Sequence, residues 1–164
     1  MALPNKVLPG FSAALYAQPG ATPTPLTTAQ LALVASTAPI AVIGNLLPVE
    51  AIPAFGMDDA VASFGVAGSR QSDKIPVQAA PTSMTITAAW NPSDTNLLLM
   101  RADAYSGVID RTFVISATEG ANIVYYAFNG RVGQFQIDSA PGAEAKCMFT
   151  VHPRGNQYGW SNNA

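Results

Sequence analysis

The last third of the chain constrains its fold most, because residues 111–155 read as three consecutive β-strands that follow one short helix. The two final strands, predicted at residues 123–138 and 143–153, are separated by a turn at Pro141-Gly142. Along the last strand, apolar residues alternate with mostly polar or charged ones, which is typical of a strand with one buried face. The end of the chain is therefore predicted to form a β-sheet.

The long strand predicted at residues 123–138 changes the phase of its alternation. Large apolar residues lie at even positions as far as Val132 and at odd positions from Phe135 onward. One extra residue near Gly130 or Gly133 explains this change, because a β-bulge moves every following side chain to the opposite face. We therefore expect a bulge, and with it a bend, in this strand.

A capped helix is predicted after a strand at residues 82–90, where apolar and polar residues alternate. Asn91 suits the N-cap and Pro92 the first helical position, where its missing N–H costs nothing. Asp94 lies in the first turn, which the helix dipole favours. Gly107 is expected to end the helix.

The first half of the chain is less clearly patterned. Residues 1–10 are expected to form an arm outside the core, and residues 11–16 a first strand. Residues 27–36 fit either a short helix or a strand, and both readings stay open. Residues 41–55 are expected to form one or two strands, with prolines at their edges or starts.

Two further segments need a separate interpretation. Residues 31–47 are apolar, but a proline, a glycine and an asparagine interrupt them, and the run is shorter than the ~20 residues that span a bilayer. We read them as soluble strand material rather than a membrane segment. Residues 65–81 combine polar residues with two prolines and are expected to form a long connection, a type of segment that is often functional.

The composition excludes several functions. The 164 residues are 49% apolar and only 11% charged, which favours an oligomer whose surface is covered by neighbours. A net charge of −2 and a pI of about 5.1 argue against tight nucleic-acid binding. With one cysteine and one histidine, a disulfide framework and a Cys/His metal site are excluded, and no cofactor is expected.

The candidate catalytic residues are better explained by their positions in the core or at the surface than by a role in catalysis. Cys147 shares the apolar face of its strand and is expected in the core, whereas His152 faces the other side and is expected at the surface. Asp58 and Asp59 are two carboxylates without further ligands. The aromatic residues at 125–128 suggest a base-stacking platform only if a basic groove lies beside them. We therefore expect no enzyme.

The ordered set of motifs resembles the tail tube proteins of siphophages, the group that includes the phage lambda major tail protein. The motifs that carry the resemblance are the capped helix at Asn91-Pro92-Ser93-Asp94, the long strand with Phe128-Asn129-Gly130-Arg131-Val132, and the last strand with Val151-His152-Pro153-Arg154-Gly155. It covers most of the chain from about Ala41 onward. It implies a mainly β domain at residues 11–155, a β-sandwich or small barrel with one flanking α-helix.

The resemblance also implies an assembly. Copies are expected to form hexameric rings that stack into a tube, with arms at residues 1–10 and 156–164 and an extended inter-ring loop at residues 65–81. The residues expected to join rings through that loop are Ser69, Arg70, Gln71, Ser72, Asp73 and Lys74. Asp138 and Glu144 are expected to face a polar lumen, because they lie opposite the apolar strand faces.

The expected function is that of a major tail tube subunit in the virion, assembled in the bacterial cytoplasm. Its expected partners are other copies of the chain, the tape measure, terminator and distal tail proteins, and viral DNA that passes without tight binding, with no membrane involved. The alternatives are another ring of the same fold (a tail terminator, a distal tail ring or a contractile-system tube) and, in a different class, a single-strand-binding barrel.

Overall fold

The structure is a computed structural model that describes residues 12–37, 44–65, 72–119 and 122–163. Its elements in chain order are β1 (Ser12–Ala17), α1 (Thr28–Thr37), β2 (Asn45–Leu47), β3 (Val49–Ala51), β4 (Met57–Gly65), β5 (Ser72–Pro81), β6 (Met84–Ala89), α2 (Thr95–Ser106), β7 (Asp110–Glu119), β8 (Asn122–Asp138) and β9 (Lys146–Asn163). The mainly β class is confirmed. The expected flanking helix is α2, and it is accompanied by a second helix, α1.

Seven strands form one antiparallel sheet in the order β2-β1-β7-β8-β9-β6-β3. The two outer strands, β2 and β3, are consecutive in the chain and are separated by Pro48 alone. Since neighbouring Cα atoms lie about 3.8 Å apart, the two edges of the sheet must meet at this proline. The sheet therefore curls into a small barrel, which leaves few free strand edges.

The interior of the barrel holds the main hydrophobic core, to which α2 contributes Leu97 and Met100. As predicted, β6 buries alternate residues, and β9 does the same. Stacked rings of Phe113 and Phe128, with centroids 5.7 Å apart, join β7 to β8 inside this core. The sequence pattern thus identifies the inward face of each of these strands.

The opposite face of β7 and β8 is also buried, because α1 packs near it. Leu31 of α1 joins Val114, Tyr125 and Ala127 in a second cluster. The helix begins with a capping box, in which Thr27 N–H donates to Gln30 Oε1 (2.9 Å) and Gln30 N–H to Thr27 Oγ1 (3.4 Å). This cap resolves the open reading of residues 27–36 in favour of a helix. It also corrects the strand interpretation of residues 31–47, whose first residues are helical.

A side-chain clamp fixes the entry to α1. Thr112 Oγ1 accepts a hydrogen bond from Leu26 N–H (2.9 Å) and donates one to Asn129 Oδ1 (2.7 Å), while Asn129 Nδ2 donates to Leu26 O (2.8 Å). Thr112 and Asn129 are register partners in β7 and β8. Beside them, Gly130 leaves no room for a side chain, because an added Cβ would lie 3.0 Å from Val151 Cγ1.

The expected bulge in the long strand is confirmed. Gly133 pairs with Thr150 and Gln136 with Met148, so β8 advances three residues where β9 advances two. Within this bulge, Gln134 has a positive φ of 50°. Phe135 consequently packs against the core, as the switch from even to odd positions predicts.

The start of α2 differs from the prediction. The N-cap is Asp94, whose side chain accepts from Asn96 N–H (2.8 Å) and Leu97 N–H (3.3 Å). Asn91 instead accepts from Ser93 N–H and closes the turn before the helix. Pro92 therefore lies in this turn and not in the helix. The predicted C-terminus is confirmed, since Gly107 is left-handed (φ 65°) and its N–H donates to Asp103 O.

Two segments assigned to loops or arms have regular structure. Ser72–Pro81 is strand β5, which pairs with β4 in a two-stranded sheet of its own, so most of the expected loop at 65–81 is half of a β-hairpin. Residues 156–163, expected as an arm, continue β9 and pair with β8 as far as Asn163. The expected arm at residues 1–10 lies outside the described residues.

Within the described residues, no helix is long and apolar enough to cross a membrane.

A buried ion pair joins α2 to the barrel. Arg111 donates from Nε to Asp103 Oδ2 (2.7 Å) and from Nη2 to Asp103 Oδ1 (2.9 Å), and the two side chains are 0% and 1% exposed. Arg111 Nη1 also donates to the carbonyl oxygens of Gln18 and Gly20, which follow β1. The guanidinium therefore links α2, β7 and the end of β1.

Removing one partner of this pair leaves the other charge buried and unpaired. We expect Asp103→Ala to lower the free energy of unfolding by about 3–5 kcal/mol. The exposed pair of Arg154 with Asp110 provides the control, and Arg154→Ala should cost only about 0–1 kcal/mol. Urea unfolding followed by circular dichroism measures both, and equal costs for the two variants would contradict a structural role for the buried pair.

Candidate self-association surfaces

Cys147 and His152, two of the residues considered for catalysis, lie on different faces of β9. Cys147 is buried, and burial raises the pKa of its thiol, whereas His152 lies on the exposed side of β9 with Nδ1 2.9 Å from Ser83 Oγ. Asp58 and Asp59 lie in β4. Among the described residues, no group of three or more His, Cys, Asp or Glu side chains could hold a metal ion.

The aromatic segment of β8 is core and not a stacking platform. Tyr125, Tyr126 and Phe128 are at most 5% exposed, and burial raises the pKa of Tyr126 to about 12. Arg131, the nearby cation, donates to Asp110 (2.8 Å) and to the carbonyl oxygens that follow α2. These side chains therefore offer no base-stacking face beside a basic groove.

One exposed apolar surface lies at the C-terminal end of α2. Tyr105 and Val108 are 75% and 71% exposed, and the guanidinium carbon of Arg101 lies 5.6 Å from the centre of the Tyr105 ring. Gly107 positions Val108 outward, because its left-handed conformation ends the helix and turns the chain. A cleft of about 340 Å³ adjoins Val108, and the β1–α1 loop lines its other side with Pro23. We call Arg101, Tyr105 and Val108 the helix-end surface.

A second exposed apolar surface lies at the end of β8. Gln136, Ile137, Asp138 and Met148 line an open cleft of about 470 Å³, in which Ile137 is 44% exposed. Ile137 pairs with buried Cys147 and so follows the core side of the sheet, but the strand ends there and leaves the side chain open to solvent. We call these four residues the strand-end surface. It contains Asp138, one of the two expected lumen residues.

The two surfaces lie at different places along β8, one beside its middle and the other at its C-terminal end. Arg131 donates to the carbonyl oxygens of Gly107 and Val108, which fixes the helix-end surface beside the middle of the strand. Asp138 is the last residue of β8, seven positions further on. At about 3.3 Å per residue, and less at the bulge, the two surfaces are about 20 Å apart. They cannot contact each other within one copy.

Glu144, the other expected lumen residue, is exposed in the turn between β8 and β9. It lies near Lys146, whose pKa is raised chiefly by a hydrogen bond to Glu50 and slightly by Glu144. The turn projects from the same end of β8 as the strand-end surface. Both carboxylates are therefore accessible to solvent.

Three of the six residues expected to join rings lie at the outer end of the β4–β5 hairpin. Ser72, Asp73 and Lys74 begin β5 and pair with Gly65, Phe64 and Ser63; Ser69, Arg70 and Gln71 lie outside the described residues. In the described part of the chain, the hairpin strands do not pair with the seven-stranded barrel sheet. Its backbone groups on the two outer edges are thus not used by a ladder within the described part of the chain.

The sequence analysis did not identify the helix-end surface. The signal was present, because Leu98, Arg101 and Tyr105 recur at helical spacing on the side opposite Leu97 and Met100. An amphipathic helix that packs on a core places polar residues on that side. Here the outward side of α2 carries Leu98 (38% exposed) and Tyr105 (75% exposed), so part of its apolar surface lies outside the core.

The fold occurs in known tail structures. A chain of the cryo-EM structure of the anti-feeding prophage baseplate, which is 6-fold symmetrised, has a TM-score of 0.64 at 10% identity, and the match covers 100% of both chains. The SPP1 tail tube, solved by solid-state NMR and cryo-EM, has a TM-score of 0.56 at 12% identity, covering 90% of this chain and 77% of that one. No protein-family model and no curated protein sequence matches the chain. The likeness therefore concerns the fold.

A pH dependence follows from the ion cluster beside the helix-end surface. Burial raises the pKa of Asp110, but hydrogen bonds and positive charge from Arg131 and Arg154 lower it more, so the pKa lies below its ordinary value of 3.8. A carboxyl with a lowered pKa stabilises the fold at neutral pH and loses that contribution as the pH falls through its folded pKa. We expect Asp110→Asn to be less stable than the wild type at pH 6, with the difference shrinking as the pH falls below 3.8 and through the lowered pKa of the folded state.

Urea unfolding at several pH values between 6 and 2 measures this difference. Arg154→Ala is the matched control, because it removes one of the two cations and should move the loss to higher pH. A stability difference between wild type and Asp110→Asn that stays constant down to pH 2 would contradict the assignment.

Proposed function

We propose that the chain is a structural subunit of a phage-type tail, the major tail tube protein. Copies of it form stacked, hexameric rings without catalytic activity, whose polar lumen conducts viral DNA into the host. The observation that carries the proposal is the fold, which matches a tail tube protein and, over its whole length, a chain of a six-fold symmetrised baseplate. The virion tail is the proposed location, after assembly in the host cytoplasm.

The β4–β5 hairpin supports the part of the proposal that concerns stacking. A two-stranded hairpin is marginally stable alone, and its outer edges can pair with strands of another chain. Eight register pairs extend it from Met57↔Pro81 to Gly65↔Ser72. We propose that it bridges neighbouring rings, which is the role that the resemblance gives to the extended loop. Tape measure, terminator and distal tail proteins are the proposed further partners.

A second candidate is a ring of the tail baseplate. The likeness to the anti-feeding prophage baseplate chain favours it, since that match has the higher TM-score of the two and covers both chains completely. A baseplate ring would share the closed barrel and the contacts between copies, but would not repeat along an axis. Negative-stain images of concentrated protein separate the two, because a tube protein gives long cylinders and a baseplate ring gives single rings.

The proposal predicts that the hairpin is needed for stacking but not for folding. Replacing residues 62–75 by Asn-Gly joins Val61 to its register partner Pro76 through a two-residue hairpin turn and removes the four outermost pairs. We expect the shortened chain to keep the circular dichroism spectrum and cooperative unfolding of the wild type. We expect it to form no tubes in electron micrographs at concentrations at which the wild type does.

Two outcomes contradict this prediction differently. Normal tubes from the shortened chain would exclude the hairpin as the bridge between rings. A wild-type chain that stays monomeric at every concentration by sedimentation velocity would contradict the tail tube proposal itself.

The lumen proposal is tested at Glu144, which lies outside the strand-end surface. If Glu144 faces the lumen, Glu144→Lys reverses its charge there and assembled tubes should retain double-stranded DNA in low salt and release it as the salt rises. Ala32→Lys on the exposed side of α1 is the control, and its tubes should retain no DNA. Filter binding of labelled DNA to pelleted tubes measures the retention, and equal retention by both variants would exclude Glu144 from the lumen.

A further inference from the structure

The helix-end and strand-end surfaces have complementary chemistry. The first presents the protruding side chains of Tyr105 and Val108, and the second presents an open cleft lined by Ile137 and Met148. A contact between copies could bury the exposed apolar groups of both surfaces.

Their charges are also complementary. Arg101 lies against the Tyr105 ring on the helix-end surface, and Asp138 lies in the cleft of the strand-end surface. The other arginines whose side chains are described, and Lys146, form ion pairs, whereas Arg101 and Asp138 belong to no ion pair among the described side chains. Among the described side chains, neither Arg101 nor Asp138 thus has an ion-pair partner, and Lys146, which lies opposite Asp138 in the sheet register, pairs with Glu50 instead.

We propose that the helix-end surface of one copy binds the strand-end surface of the next. Tyr105 and Val108 enter the Ile137 cleft, and Arg101 pairs with Asp138. The occupant is a second copy and not a different protein, because one chain carries both halves of the contact, with exposed apolar groups and opposite charges. The inference rests on the proposed self-association and specifies which surfaces carry it.

The geometry of the two surfaces determines the type of assembly. They are different and lie about 20 Å apart along β8, so the contact is heterologous, with each copy using one surface on either side. Heterologous contacts continue from copy to copy and close into a ring if the rotation between copies fits. Asp138 is thereby assigned to the contact between copies instead of the lumen.

Charge reversal tests the contact. In the full-length chain, Arg101→Glu and Asp138→Arg should each raise the concentration needed for assembly about tenfold or more, because like charges then face each other. The double variant restores an opposite-charge pair and should assemble at nearly the wild-type concentration. Ala32→Glu, an exposed charge change on α1, should assemble as the wild type does. Sedimentation velocity over a concentration series measures all four, and unfolding curves verify that each variant is folded.

Cysteine cross-linking provides a second measurement that does not depend on charge. The native cysteine, Cys147, is fully buried, so introduced cysteines dominate the reaction. Under a mild oxidant, the double variant Val108→Cys/Ile137→Cys should give a ladder of covalent oligomers on a non-reducing gel. Each single variant should stay monomeric, because a heterologous contact places position 108 against position 137 and never against itself.

The outcomes separate this inference from the proposed function. If the wild-type protein assembles and both charge reversals assemble equally well, the proposed contact is wrong and the tail role is unaffected. The same holds if the wild type assembles and the double cysteine variant gives no ladder. A double charge reversal as defective as the worse single variant would also overturn it. Wild-type protein that never assembles would overturn both proposals.

Discussion

The arrangement of this domain depends on one buried charge. Arg111 occupies the inward side of β7, in phase with Phe113, where an apolar residue would be expected. A buried guanidinium is tolerated only if it is paired and hydrogen-bonded, and Asp103 together with two carbonyl oxygens after β1 accepts four hydrogen bonds from it. These acceptors come from separate parts of the chain, so the pair specifies how α2 and β1 are placed relative to β7. Hydrophobic packing alone would fix that placement less uniquely.

The low proportion of charged residues has two physical causes. Part of it is internal, because β7 and the middle of β8 are buried on both faces, by the barrel interior on one side and by a cluster that includes α1 on the other. A strand buried on both faces needs apolar residues at every position, which raises the apolar fraction without any partner. The 49% apolar content is therefore only weak evidence for an oligomer, because part of it is buried inside the domain. The specific evidence is the few large side chains that remain exposed.

Elements that are specified by neighbouring residues could be predicted from the sequence. Features that depend on contacts between distant parts of the chain could not. The alternation of β6 and β9, the bulge in β8 and the end of α2 at Gly107 each follow from neighbouring residues. The β4–β5 hairpin was missed, because Pro76 and Pro81 lie in β5 and polar residues hide its alternation, although prolines are accepted where a strand edge is free. The N-cap was predicted at Asn91, three residues before its position at Asp94. Both residue types suit an N-cap, and the turn that precedes α2 places the start of the helix at Asp94. The Arg111–Asp103 pair needs tertiary contact, and its only local signal is a charge in phase with Phe113.

Both candidate contact surfaces arise where regular structure is interrupted. The helix-end surface exists because Gly107 stops α2 in a left-handed turn, so Val108 leaves the helix axis beside Tyr105 and faces solvent. The strand-end surface exists because the bulge at Gln134 moves Ile137 to the inward side of β8 beyond the point where the core can cover it. Without that extra residue, the alternation would turn Ile137 to the other face and bring Asp138 to the inward side, beside Cys147. The same irregularity that lets Phe135 fill the barrel thus leaves Ile137 exposed on the inward side of the strand end, with Asp138 on the other side, at a cleft that another molecule can enter.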